Sequence, residues 1–295
     1  MRWFALVILV GCGSVPDNSQ RDAASDAPDD VAIEDSADAG LGPWGTPVPV
    51  TSLNTANADQ DATLTEDQLE IVFSSTRPGG NGMSDLWTTT RATKTAAWNA
   101  PKVIPNVNSA MGDDRAWLSP DGLRMYFTSD RGGTGNDIYA TARVSRTSPW
   151  AAPTIVNELA SASDDEVGGL SVDELMIVFS SDRGGVATGR DLYIASRATK
   201  TASFGIPAAV AALDTAELEA AAAFASNGAA LYFIRANALW RAERTGTTYG
   251  NPVKIDELID TAPLGDPWVS QDERTLYFTR NTGSGVSLEL MMTTR

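Results

Sequence analysis

Short apolar runs ending in an aromatic recur along this chain: Ile71-Val72-Phe73, Met125-Tyr126-Phe127, Ile177-Val178-Phe179, Leu231-Tyr232-Phe233 and Leu276-Tyr277-Phe278. Each follows a polar turn with Asp or Asn at its third place, at Asp67, Asp121, Asp173, Asn227 and Asp272. These side chains cap their own backbone and tolerate left-handed φ, so each turn predicts a tight hairpin. After a polar loop comes a further strand: Asp85-Leu86-Trp87, Asp137-Ile138-Tyr139, Asp191-Leu192-Tyr193, Ala238-Leu239-Trp240 and Glu289-Leu290-Met291. Each ends in an arginine, at Arg91, Arg143, Arg197, Arg244 and Arg295.

A fourth segment closes each repeat with fixed spacing of an aromatic, a proline and two apolar residues. It reads Trp98, Pro101, Ile104, Val107, then Trp150, Pro153, Val156, Leu159, then Phe204, Pro207, Val210, Leu213, then Tyr249, Pro252, Ile255, Leu258. The last repeat reaches Arg295 without one, while Trp44, Pro47, Val50 and Leu53 stand ahead of the first repeat. The simplest physical reading is a ring in which the leading segment completes the final sheet. The pattern therefore predicts an all-β fold: a five-bladed β-propeller over 43–295, built of four-stranded antiparallel blades and closed by an N-terminal strand. The repeat length, about 50 residues, suits a blade. Proline in every fourth strand fits an outermost edge, where a missing donor is tolerated.

The stretch from Ser119-Pro120-Asp121-Gly122 to Asp137-Ile138-Tyr139 resembles the WD-like repeat of TolB-type bacterial propellers, and Ser171 to Tyr193 and Thr65 to Trp87 repeat it. The fourth and fifth repeats depart from it, with Ala238 and Glu289 in place of the aspartate. The resemblance implies the propeller fold. It also implies binding of partner proteins or peptides at the central opening, although the extra N-terminal domain of the periplasmic TolB protein has no counterpart here.

The head of the chain has a separate pattern. A basic start and a short apolar run lead to Leu9-Val10-Gly11-Cys12, which resembles a bacterial lipoprotein box. That resemblance implies a signal peptide over 1–11, acylation of Cys12 and anchoring in a lipid bilayer; Gly13 after the cysteine implies the outer membrane. The next segment, 12–42, is rich in Asp and Ala and poor in large apolar residues, so it is expected to stay disordered as an acidic tether.

Composition narrows the chemistry. The 295 residues carry a formal net charge of −16, which argues against nucleic acid as a partner. There is one cysteine and no histidine, so neither an intrachain disulfide nor a histidine-dependent triad or metal site can form. A monomer is expected. No cofactor is expected; a structural calcium on Asp113-Asp114 or Asp164-Asp165-Glu166 is the one metal candidate weighed.

The loops entering the innermost strands and those joining second to third strands share one face. The candidate binding set lies there: Arg77, Arg131, Arg183, Arg235 and Arg280 with Asp114, Asp165, Glu166, Glu219 and Asp266, and Trp117 and Trp268 on innermost strands. The arginines recur at one place in every repeat, so two readings stay open: bracing of each blade, through Asp137 and its equivalents or a neighbouring loop, or a polar ring for a charged peptide or glycan. Since Ala238 removes the local acid of the fourth repeat, Arg235 is expected to be free for a ligand. The second arginine series is expected beside the turn acids. Non-catalytic binding of an envelope protein, peptide or glycan is the leading expectation. A carbohydrate-active hydrolase using the entering-loop carboxylates is the rival.

Overall fold

The computed structural model describes residues 40–133, 135–184, 189–258, 264–281 and 288–295. The signal peptide, Cys12 and nearly all of the tether lie outside the described residues. The described chain forms five four-stranded antiparallel sheets. Blade 1 runs β2 (Asp59–Leu64), β3 (Glu70–Ser75), β4 (Asp85–Thr90) and β5 (Lys102–Val103). Blade 2 runs β6 (Asp113–Leu118), β7 (Arg124–Ser129), β8 (Asp137–Ala142) and β9 (Thr154–Ile155). Blade 3 runs β10 (Asp165–Leu170), β11 (Met176–Ser181), β12 (Asp191–Ser196) and β13 (Ala208–Ala209). Blade 4 runs β14 (Glu219–Ala225), β15 (Ala230–Arg235), β16 (Ala238–Thr245) and β17 (Thr248–Lys254). Blade 5 runs β18 (Leu264–Val269), β19 (Thr275–Asn281) and β20 (Leu288–Thr294), with β1 (Val48–Pro49) as its outer strand.

The expected closure is present. Val48 pairs with Met292 and Pro49 with Met291. Beyond the ladder, the Gly45 amide donates to the Thr294 carbonyl at 2.9 Å and the Val50 amide to that of Leu290 at 2.9 Å. Asn54 clamps Leu290 from both sides, donating Nδ2 to its carbonyl at 3.0 Å and accepting its amide at 2.8 Å. Trp44 is buried, with the Arg295 guanidinium 4.3 Å above its ring. The fifth outer strand is therefore held by buried side chains as well as by its short ladder.

The core lies between blades rather than within one. The second strands carry Phe73, Phe127, Phe179, Phe233 and Phe278, all almost fully buried. Leu64, Ile71, Phe73 and Trp87 of blade 1 pack with Tyr277 and Leu290 of blade 5, sealing the ring through apolar burial. The innermost strands follow one another around the axis, with β18 beside β2. Gly168 allows a close approach between innermost strands: a Cβ there would collide with the Ala222 carbonyl of the next blade.

Candidate functional site at the channel mouth

Four of the five recurring arginines brace their own blades. Arg77 reaches Asp59 at 2.6 Å, Arg131 reaches Asp113 at 2.5 Å and Arg183 reaches Asp165 at 2.5 Å. Each also donates to a backbone carbonyl after the outer segment, at Leu53, Val107 and Leu159, and stacks on the aromatics of its second and third strands. The partner is the first residue of the innermost strand, not Asp137 or its equivalents. Asp85, one of those equivalents, caps its own loop by accepting the Asn81 and Gly82 amides.

The expectation for Arg235 is corrected by the same geometry. Its Nε donates to Glu219 at 2.7 Å, Nη2 donates to the Leu213 carbonyl, and the group is buried against Phe233 and Trp240. Ala238 stands where an acid is lost that the brace does not use. Blade 5 is the exception, because Leu264 occupies the acid's place and Arg280 donates to Glu289 at 2.6 Å instead.

Four members of the second arginine series lie beside the turn acids, as expected of structural braces, and bond the carbonyl of the residue after each acid rather than the acid itself. Arg91, Arg143, Arg197 and Arg295 donate to the carbonyls of Gln68, Gly122, Glu174 and Glu273 and lie over Trp98, Trp150, Phe204 and Trp44. The turn acids serve their own turns: the Asp121 carboxylate accepts the Ser119 hydroxyl at 2.6 Å and the Leu123 amide at 3.0 Å. Neighbouring blades are tied where Arg143 grips Glu70 with both contacts at 2.7 Å, and where Arg124 grips Glu174 at 2.5 Å.

The channel breaks this regularity. Its wall is made by the third and fifth residues of the innermost strands. The fifth places hold Thr63, Trp117, Gly169, Ala223 and Trp268, and the third hold Asp61, Arg115, Val167, Ala221 and Asp266. A β-bulge interrupts every one of these strands near that third place. Asp61, Arg115, Ala221 and Asp266 adopt positive φ of 55°, 48°, 51° and 47°. Left-handed non-glycine residues carry strain of about 1–3 kcal/mol each, a feature concentrated at functional sites.

Charge gathers on one side of this ring. Arg115 Nη1 stands 3.2 Å from Glu166 and 3.4 Å from Asp266. Arg190 pairs with Glu166 and lies 3.4 Å from Asp164. Asn136 donates Nδ2 to Glu166 at 3.1 Å. Asp61 is only 4% exposed; its Oδ2 accepts the Arg115 amide at 3.2 Å and its Oδ1 accepts no hydrogen bond. Among the described residues, no Arg or Lys reaches ion-pair distance of Asp61 or Asp114.

The protonation of these acids follows from that crowding. Burial, with Asp266 and Asp114 nearby, pushes the Asp61 carboxyl well above the usual carboxylate range, against the pull of Arg115. A proton on Asp61 can also be shared with Asp266, which favours the same neutral form. Burial and the charges of Glu166, Asp266 and Asp113 push Asp114 up to about 7, again opposed by Arg115. The surrounding carboxylates hold Arg115 firmly charged despite its burial.

Of the residues singled out in the sequence, Asp266, Trp117 and Trp268 line the channel; Glu166 is joined to it through Arg115, and Asp114 stands close enough to feel the charges of Arg115, Glu166 and Asp266. Arg77, Arg131, Arg183, Arg235, Asp165 and Glu219 sit instead in the braces. Trp117 and Trp268 pack on Tyr126 and Tyr277 of their own blades, centroids 6.1 and 6.0 Å apart, while still lining the channel. Arg115, Arg190 and the isolation of Asp61 were missed. Aligning the innermost strands by bulge position would have found Arg115, which is the one cation among their third residues. Among the described residues no three acids are arranged to hold a metal ion; Asp113 and Asp165 of the calcium candidates are held by arginines.

No family model matches the sequence, and no curated protein is similar to it. The fold does have solved relatives. An endo-arabinase from Bacteroides thetaiotaomicron superposes with a TM-score of 0.58 at 12% identity, over 84% of this chain and 96% of that one. A putative TolB from Agrobacterium tumefaciens gives 0.53 at 13% identity, over 81% and 77%. An α-L-arabinofuranosidase from Podospora anserina gives 0.54 at 11% identity, over 85% and 96%. At such identities the likeness establishes the fold: this chain is a five-bladed β-propeller, similar in architecture to a TolB, an endo-arabinase and an α-L-arabinofuranosidase alike.

Proposed function

We propose that this chain is a non-catalytic binding protein of the bacterial cell envelope, and that its channel mouth receives a segment of a partner protein or peptide. The observation that carries this reading is the asymmetric cluster of Asp61, Asp114, Arg115, Glu166 and Asp266, set in an otherwise repetitive ring. Bracing groups recur from blade to blade; these do not. The free space beside them is small, about 60 Å3 as the space open to the centre of a water-sized sphere. That is room for a few waters or one slender group rather than a sugar ring. The leader over 1–11 and Cys12 support export and acylation, and the acidic segment of 12–42 would hold the propeller away from the outer membrane.

A partner captured from cross-linked envelope by the wild-type chain should be lost with an Asp61→Asn/Asp266→Asn double variant. Equal capture by both would exclude the channel mouth. Radiolabelled palmitate should enter the wild type and not Cys12→Ser.

One observation favours the hydrolase reading: burial and neighbouring acids push Asp114 up to about 7, in the range where a general acid works. A screen against arabinans and other polysaccharides tests it. Turnover abolished by Asp114→Asn would replace the binding reading.

A further inference from the structure

Four carboxylates, Asp61, Asp114, Glu166 and Asp266, gather at the channel mouth against two guanidiniums, Arg115 and Arg190. Both guanidiniums are engaged with Glu166, and Arg115 also with Asp266. Asp61 lines the cavity, and its buried Oδ1 accepts nothing. Once the carboxyl gives up the proton it can share with Asp266, that acceptor is left unmade, at a cost of about 1–3 kcal/mol. A donor supplied from outside would recover that loss.

The shape of the channel restricts the donor. Its free space suits an ammonium or a planar guanidinium. Trp117 and Trp268 stand at the fifth places of their strands, two residues beyond the third places that hold Arg115 and Asp266. Indole faces receive the aliphatic stem of a lysine or arginine side chain and favour its charge. The remaining wall adds no competing charge, since β14 contributes alanines and β10 Val167 at the third place. An anion would meet Asp61 and Asp266 beside guanidiniums already engaged with carboxylates, and the described acids do not converge as a metal site.

We propose that the channel mouth is a receptor for one cationic group of a peptide, a lysine or arginine side chain or a free N-terminus, which donates to Asp61 and its neighbours Asp266 and Asp114. This rests on the reading of the chain as a binding protein and names the chemistry of what it binds. Burial raises the carboxyls of Asp61 and Asp114, so a proton there competes with the incoming cation. The charged groups facing them are Asp266 from β18, Arg115 from β6, Glu166 from β10 and, behind it, Arg190. Binding should therefore tighten as pH rises from 6 to 8.

The test is an NMR titration of the full chain with acetyl-Ala-Lys-Ala-amide, acetyl-Ala-Arg-Ala-amide, Ala-Ala-Ala-amide with a free N-terminus, and the neutral Nε-acetyl form of the first. At least one cationic peptide should saturate a single site, and the strongest of the three identifies the source of the charge. The neutral peptide should bind at least tenfold more weakly. Asp61→Asn should lose tenfold or more, while Glu217→Gln, an exposed acid beside β14, should change nothing. The proposal fails if no cationic peptide saturates at millimolar concentration, if the neutral peptide binds equally, if Asp61→Asn and Glu217→Gln behave alike, or if calcium chloride occupies the site in the peptide's place. Equal binding of the neutral peptide, lost in Trp117→Ala, would sink the cation and leave channel binding intact. Indifference of every peptide and of envelope capture to all channel variants would remove both.

Discussion

Glu219 is fully buried, with the Arg235 guanidinium at 2.7 Å. Removing one partner of such a pair strands the other, so Arg235→Ala should cost about 3–5 kcal/mol, read by denaturant unfolding. A loss below about 1 kcal/mol would show that the brace is not a structural tie. Asp61 is just as deeply set but has no such partner, and it holds its proton instead. Asp61 and Asp114 have folded-state pKa values above those of the unfolded chain, so between about pH 4 and 7 the folded state binds more protons and stability falls as pH rises. Melting temperature should decline from pH 5 to 8, and Asp61→Asn and Asp114→Asn should each flatten the decline. An unchanged slope in both variants would contradict the assignment. The acids were visible in the sequence, but their division of labour was not. Asp113 and Asp114 are adjacent and chemically alike; only the geometry of the strand decides that one meets Arg131 and the other stands among the charges of Arg115, Glu166 and Asp266.

At the scale of the element, the leading segment 43–53 is the piece that makes a ring from a row of sheets. Its ladder is two residues long, so its hold depends on Trp44, Asn54 and the cation–π contact with Arg295. Trp44→Ala should cost about 3–5 kcal/mol. Deleting 43–53 should leave β20 as an unpaired edge and drive self-association, seen as earlier elution in size-exclusion chromatography. A monomeric, equally stable deletion would mean that the closure is dispensable. This part of the fold was legible beforehand because the closing motif repeats with fixed spacing, and a copy that leads the series can only be the one missing at its end. In blades 1, 2, 3 and 5 the outer strands are shorter than their motifs, and where one runs on, in β17, Pro252 falls at a register shift of the ladder. Among the outer strands only β17 runs for seven residues.

At the scale of the whole molecule, pseudo-symmetry separates what holds the ring from what the ring does. Groups repeated in four or five blades are braces, whether Arg77 with Asp59 or Arg91 over Trp98. The acids and arginine of blades 5, 1, 2 and 3 appear at the channel without counterparts in blade 4. Fold likeness reaches both TolB and an endo-arabinase, and so does not choose between binding and hydrolysis. The choice rests on a narrow cavity with an unsatisfied acceptor.

The most direct measurement places a photoreactive benzophenone side chain at Trp268, inside the channel, or at Val144, fully outside it, and irradiates intact envelope. A cross-linked partner is expected from position 268 and not from 144, and an excess of whichever cationic peptide binds most strongly should suppress it. The same partner from 144 alone, or a product at 268 indifferent to that peptide, would contradict the assignment of the channel mouth as the binding site.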